Sequence, residues 1–405
     1  MKGHFYKPRC ICPKDKKCKC NATWSYIIDV GINPLTGKRK QKKKGGFKTL
    51  KEAEAAAALL QVEVSQGTHV EESNITFGEF RNMWLKMYAS TGKVKVSTVR
   101  VREHESGRLN GYFEHLKLKS ITLKKYQDAL NDLKNEVGLA ESTLDGIHST
   151  GSMIFGKAME LGYIKKDPTQ YAHVPKIQKT VEELEEEETL EKYLEKEELA
   201  LFLQTAKTKG LERDYIIFKL LSYTGMRAGE LCALKWKDID FEECTINISR
   251  TYYNPKNNIV KYILLTPKTK TSKRKIDVDE GLIKDLEQHR AFQNEVRMRF
   301  RNTYYDHDFV IAKTKKLPGY PEYIKTIENR MERLLKLAEL NESLTPHSLR
   351  HTHVSLLAEA GVGLKEIMDR LGHKDDDTTE HVYWHVTKPK KKEAPQKFAE
   401  LMKGL

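Results

Sequence analysis

A chain of 405 residues exceeds what one ordinary hydrophobic core organises, so two or three domains are expected. With 39% hydrophobic and 32% charged residues it can bury sizeable cores, and no apolar run approaches the roughly 18–20 residues that span a bilayer. The formal net charge of +14 points to a polyanionic partner, and to nucleic acid rather than a membrane surface, because no basic helix carries a Trp- or Phe-rich apolar face. The basic N-terminus lacks the apolar stretch of a signal peptide, and the expectation is a protein of the cytoplasm.

Residues 1–48 hold fourteen Lys or Arg against only Asp15 and Asp29. Within 1–20, Cys10, Cys12, Cys18 and Cys20 read C-x-C-P-x4-C-x-C. Four clustered thiols in a reducing compartment suit a metal better than disulfides, and a structural zinc takes four thiolates in a tetrahedron. C-x-C is tighter than the usual chelating pair, so free thiols in a basic tail stay open as the other reading. Residues 21–66 read as a small β-β-β-α unit. Trp24 to Val30 is rich in aromatic and β-branched residues, Asn33-Pro34-Leu35-Thr36-Gly37 supplies a turn, and Lys38 to Lys44 is a basic second strand. Gly45-Gly46-Phe47 is expected to bend into a third strand, and Thr49 to cap a helix from Leu50 to near Gly67. A sheet with Arg39, Lys40, Lys42, Lys43 and Lys44 on one face can lie in a DNA major groove. A basic surface without a defined partner is the alternative.

The next region, 74–176, shows helical periodicity over Phe80–Tyr88, Val99–Leu109, Leu123–Val137 and Ser142–Leu161, which suits a four-helix DNA clamp or a plain spacer. Segment 182–198 carries ten Glu, and 177–192 is read as an acidic linker. From 193 to 388 the pattern runs helical, extended, then helical. Ile246–Tyr253, Tyr262–Thr266 and Arg274–Val278 are expected to form one small antiparallel sheet. Residues 389–405 are read as a tail, entered through the basic run Lys388-Pro389-Lys390-Lys391-Lys392 and carrying an apolar stripe of Phe398, Leu401 and Met402. The fold class expected is multidomain α+β, mainly helical in its last domain.

Four separated motifs in that last domain carry chemistry. Thr224-Gly225-Met226-Arg227-Ala228-Gly229-Glu230 follows an apolar helix. Thr266-Pro267-Lys268-Thr269-Lys270 lies in a turn after a strand. His347-Ser348-Leu349-Arg350-His351 opens a helix after Thr345-Pro346. Leu371-Gly372-His373 precedes Thr378-Thr379 and Tyr383. In this order the motifs resemble those of tyrosine recombinases, the integrases of temperate phages and conjugative transposons. The resemblance implies catalytic roles for Arg227, Lys268, His347, Arg350, His373 and Tyr383, with Glu230, His385 and Lys270 supporting. It covers the whole chain, since 21–68 and 74–176 are similar to the arm-binding and core-binding (SAM-like) domains of such integrases.

The chemistry suits the residue types. Attack on a phosphodiester builds charge on its non-bridging oxygens, and Arg227 and Arg350 can present planar forks of donors that stay charged at any working pH. A tyrosine hydroxyl is a poor nucleophile unless its proton is taken as it attacks, and His347 is the natural base. Lys268 can protonate the leaving 5′ oxygen, although Lys270 stands close enough to serve instead. A phosphotyrosyl link conserves the bond energy, so no cofactor, ATP or metal is needed for the chemistry. Each residue also has a plainer reading: Arg227 and Glu230 as a helix-surface ion pair, His373 as a satisfied buried histidine, Tyr383 as packing, and His351 and His353 as structural. The family resemblance further implies double-stranded DNA with core and arm sites, a homotetramer on DNA, a C-terminal segment docked on a neighbouring protomer, an excisionase and a DNA-bending host protein. Two rivals stand beside it: a type IB topoisomerase, which uses the same chemistry for a different outcome, and a DNA-binding regulator that keeps the fold without catalysis.

Overall fold

The computed structural model describes the chain apart from residues 1, 2, 9, 11, 13–19, 33–38, 66–73, 93, 177–192, 267–272, 373–378, 385–401 and 403–405. It divides into two compact units, Met1–Gln178 and Lys179–Leu405. No described helix is long and apolar enough to cross a membrane.

The first unit opens with an antiparallel sheet of three strands in the order β1 (His4–Tyr6), β2 (Trp24–Ile32) and β3 (Arg39–Phe47). Helix α1 (Leu50–Ser65) covers one face, where Tyr26 and Ile28, two apart on β2, bury against Ala57 and Leu60. The third strand is not the one expected after Gly45-Gly46. Those glycines continue β3, and the third strand comes from upstream, at the other edge of β2. The reason is a bulge: the register shifts opposite Trp24 and Ser25, and Gly46 at φ +96° absorbs the extra residue without reversing the chain. Phe47 thereby stays on the covered face, stacked on Tyr26 at 5.7 Å.

Four helices follow: α2 (Phe77–Ser90), α3 (Val96–Phe113), α4 (Leu123–Asn135) and α5 (Glu141–Glu160). Thr76 starts α2 through a capping box, its hydroxyl accepting from Glu79 N–H at 3.3 Å while the Glu79 carboxylate accepts from Thr76 N–H at 2.9 Å. On α4 the buried residues Tyr126, Ala129, Leu130 and Leu133 recur at helical spacing and meet Leu109, Phe113, Ile147 and Phe155 in one core.

The second unit runs α6 (Lys196–Thr208), α7 (Asp214–Thr224), α8 (Ala228–Ala233), then strands, then α9 (Glu280–Arg299), α10 (Ile324–Leu337), α11 (Ser348–Glu359) and α12 (Leu364–Leu371). Helix α7 is buried on nearly every side, with Ile216, Ile217, Phe218, Leu220 and Leu221 at the centre of the core and its charged Asp214 and Lys219 paired with Arg330 and Asp285. The single sheet expected here is two sheets. Strands β4 (Ile239–Asp240), β5 (Thr245–Ile248) and β8 (Arg274–Asp277) form one, and β6 (Thr251–Tyr253) pairs with β7 (Ile263–Leu265) in the other. The run 246–253 breaks at Ser249-Arg250, where the Arg250 guanidinium is drawn to the Asp238 carboxylate; beyond it Tyr252 stacks on Tyr262 at 5.4 Å.

Phe155 lies fully buried between Phe77 and Tyr126, at ring separations of 5.6 and 5.8 Å. Urea unfolding of Phe155→Ala should therefore show a loss of about 3–5 kcal/mol in the helical core, with the slope of the transition unchanged.

Candidate active site

The site begins where α7 ends. Gly225 sits at φ +61°, and a Cβ there would lie 2.7 Å from Leu371 Cδ2 and 2.8 Å from His353 Cδ2. Glycine is thus required both by the left-handed backbone and by the packing. The turn delivers Arg227 to the start of α8. Glu230, one turn on, accepts from Arg227 N–H at 2.9 Å and from Arg227 Nη1 at 3.1 Å. Arg227 keeps 39% of its side-chain surface exposed while Glu230 is buried, so the guanidinium is anchored at its base and reachable at its tip.

A second arginine completes the shell of Glu230. Arg274, on β8 with 5% of its side chain exposed, donates Nη2 to Glu230 Oε2 at 2.9 Å, Nη1 to Oε1 at 3.3 Å and Nε to the Arg370 carbonyl at 2.8 Å. Burial alone would raise the Glu230 pKa; the hydrogen bonds and charges of Arg274 and Arg227 outweigh it and hold the carboxyl below its ordinary value.

The third motif opens α11. Ser348 Oγ accepts from Thr345 N–H at 3.1 Å, which sets the helix start, and His347 stands exposed at the cap with its ring edge-on to His351 at 4.8 Å. Arg350 is 2% exposed. Its Nη1 donates to the Gly225 carbonyl and its Nη2 to the Leu371 carbonyl at 2.7 Å. One guanidinium therefore joins the turn before Arg227 to the residue before Gly372. Part of the Arg350 fork, expected from the sequence to face a phosphate, is committed to main-chain carbonyls.

Tyr383 lies on a short helical segment, residues 379–384. It packs with Val382 on Val354, Ala358, Ile367 and Leu371, and meets the Trp384 ring at 5.4 Å. The structure thus brings Arg227, Glu230, Arg350 and Tyr383 onto elements in mutual contact, with His347 at the mouth of α11. Lys268, Lys270, His373 and His385 lie outside the described residues, as do Phe398 and Leu401.

Two residues of this shell were not singled out from sequence. Arg274 occupies the inward register of β8, with Ile276, and an arginine at a core-facing strand position is a signal for a buried acidic partner. Arg370 has no such signal. Its Nε donates to His353 Nε2 at 3.0 Å and its Nη2 to the Tyr223 carbonyl at 3.3 Å. Burial first, then the Arg370 charge, push the His353 pKa down to about 3, so the ring is a neutral acceptor.

In the N-terminal sheet the basic residues do not share one face, because successive strand residues alternate. Lys42 and Lys44 pair with Ile28 and Tyr26, on the side covered by α1. Lys43 and Arg39 fall on the open side with Ile27, His4 and Tyr6; Lys43 Nζ stands 5.2 Å over the Tyr6 ring and Arg39 pairs with Asp29. The Lys40 side chain lies outside the described residues. The thiols of Cys10, Cys12 and Cys20 lie within 4.8 Å of one another, with Cys10 and Cys20 Sγ 3.5 Å apart. Thiolates about 2.3 Å from a tetrahedral zinc stand about 3.8 Å apart, so the set fits such an ion. Cys18 lies outside the described residues.

Known proteins match this arrangement over nearly the whole chain. Residues 192–390 match the phage integrase family, 15–64 an arm DNA-binding domain, and 76–134 the N-terminal SAM-like domain of phage integrases. A probable integrase of prophage ps2 from Lactococcus lactis is 31% identical over 336 residues, 82% of this chain and 85% of that one. The chain belongs to the phage integrase family. Another family member, the integrase of Staphylococcus phage L54a, is 29% identical over 82% of this chain and 95% of its own. The lambda integrase tetramer bound to a Holliday junction shares the fold, with a TM-score of 0.54 at 20% identity over 89% of this chain and 92% of that one. As a member of this family the protein is a tyrosine recombinase.

The buried histidines of the integrase unit set a pH dependence. His289 Nε2–H donates to the Val310 carbonyl at 2.8 Å, and burial pushes its pKa down to about 4. His353 behaves alike. Both folded values lie below the unfolded value near 6.5, so the unfolded chain takes up protons first. Stability present above pH 6.5 should fall as the pH drops toward 4, and at pH 5 His353 alone should account for about 2 kcal/mol. Denaturant midpoints at pH 7.5 and pH 5 measure this, and His353→Gln should flatten the difference.

Proposed function

We propose that this tyrosine recombinase integrates and excises a mobile element by cutting DNA with Tyr383 as nucleophile. The Tyr383 hydroxyl oxygen attacks the scissile phosphorus as its proton passes to His347. The bond to the 5′ oxygen breaks, Lys268 (or Lys270 in its place) protonates that oxygen, and a 3′-phosphotyrosyl link remains. Attack on the link by a 5′ hydroxyl from the partner duplex reverses the step and frees the tyrosine. One phosphodiester is exchanged for another, so neither ATP nor a metal enters the chemistry.

The observation that carries this reading is the Arg350 guanidinium bridging the carbonyls of Gly225 and Leu371, since it gathers the Arg227 turn, the start of α11 and the segment leading to His373. Arg227, anchored by Glu230 and reachable from solvent, then binds the non-bridging oxygens. Arg350 contributes its charge from beneath, and His373 adds a donor, as the family resemblance implies.

Double-stranded DNA is the partner of this reading. The open face of the N-terminal sheet, with Lys43 and Arg39, reads arm sites, and the helical unit and recombinase unit take the core site. The lambda structure supports a tetramer on a Holliday junction as the working assembly. An excisionase and a DNA-bending host protein give direction to the reaction, as in the family this chain resembles. A zinc ion held by Cys10, Cys12 and Cys20, with Cys18 as fourth ligand, fastens the strand β1 to the start of β2.

A nicked suicide duplex tests the chemistry. Wild type should form a covalent protein–DNA adduct that persists in EDTA, Tyr383→Phe should form none, and Arg227→Ala should slow adduct formation by about 100–1,000-fold. Adduct with Tyr383→Phe would discard the nucleophile assigned here. Elemental analysis of the purified protein should give about one zinc per chain, lost in Cys10→Ser/Cys20→Ser.

A further inference from the structure

We propose that Arg274 is a positioning residue that holds Arg227 and Arg350 in register with one another, an inference that rests on the recombinase reading above. Arg274 reaches two different elements with one rigid group. Its two Nη atoms grip both oxygens of Glu230, and its Nε bonds the Arg370 carbonyl. From Glu230 the contact passes to the main chain and guanidinium of Arg227. From Arg370 it passes through one peptide to Leu371, whose carbonyl receives Arg350 Nη2. Both routes are a residue or two long, and the side chains that carry them, Glu230, Arg274 and Arg350, are buried.

The residue type matters for geometric reasons. A guanidinium offers donors on three nitrogens in one plane, so the angle between the Glu230 and Arg370 contacts is fixed by covalent structure. A lysine at this place keeps the charge but donates from one point. The strand also pins the residue at its base, since Arg274 pairs with Ile248 across β5 and β8. A buried ion pair adds little net stability over a well-packed apolar pair, so orientation is the larger contribution of Arg274. Arg274 touches no reacting atom in this scheme; it acts through Arg227 and Arg350.

A double-mutant cycle on the suicide duplex reads this coupling. Arg274→Lys should slow adduct formation on the order of 10–100-fold, the scale of a small misplacement of catalytic groups. Its affinity for core-site DNA should change by less than about threefold and its melting temperature by no more than about 4 °C. The pair Arg227→Lys/Arg274→Lys should be no more than about threefold slower than Arg227→Lys alone, because a misplaced arginine that is already replaced has little more to lose. The same should hold with Arg350→Lys. Arg274→Gln/Glu230→Gln, which removes both charges of the buried pair and keeps donors, supplies a second cycle with Arg350→Lys if Arg274→Lys unfolds. Losses that multiply in the double variants, or a wild-type rate in Arg274→Lys, overturn the positioning role. A wild-type protein that forms no adduct overturns the recombinase reading itself, so the two failures are told apart.

Discussion

The recombinase unit depends on a guanidinium placed where water does not reach. Arg350 lies at the buried start of α11 and donates to carbonyls from two other elements, Gly225 after α7 and Leu371 at the end of α12. Burying such a charge is costly, and it is tolerated only because the carbonyls that end the two helices are short of donors. The same contacts satisfy the helix ends and gather the residues of the site. Gly225 is glycine for this reason: a side chain there would collide with Leu371 and His353, the neighbours that the arginine draws close.

Around that contact the unit builds a second layer of the same kind. Glu230 is shared by Arg227 and Arg274, Arg274 reaches the Arg370 carbonyl, and Arg370 reaches His353 and the Tyr223 carbonyl. An enzyme acting on a polyanion needs cations at its surface, and one side chain with both ends in water would wander. Here the exposed arginine is held by a buried carboxylate, and that carboxylate by a buried arginine. The exposed Arg227 guanidinium thus stands on a preorganised base, which in the proposed reaction would lower the reorganisation needed as charge builds on a phosphate. His353 fits the same logic: held neutral by burial and by Arg370, it adds no charge to a crowded site.

The helices were legible because their signals are local. Periodicity over Phe80–Tyr88 and Leu123–Val137 announces α2 and α4 without reference to anything distant, while the Thr76–Glu79 capping box that starts α2 at Phe77 went unread. Strand partners were less so. Gly45-Gly46 reads as a break in sequence, yet the pairing of β2 with β3 turns it into a bulge, and β1 joins from a segment whose composition suggests only a basic tail. In the same way 246–253 reads as one strand, and the reach of Arg250 to Asp238 divides it between two sheets. The basic run of β3 was read as one face although strand alternation sends Lys42 and Lys44 to the side opposite Lys43.

What the sequence by itself determined was the family, since the ordered Arg, His-x-x-Arg and Tyr motifs resemble those of tyrosine recombinases and relatives of that family match the chain. What only the tertiary structure decided was which arginines stay reachable from solvent and which are buried to hold the fold. Arg227, Arg274, Arg350 and Arg370 are the same residue in a sequence. Burial separates them, because an arginine denied water must spend its donors on carbonyls and carboxylates, while one left partly exposed keeps its charge available to an anion.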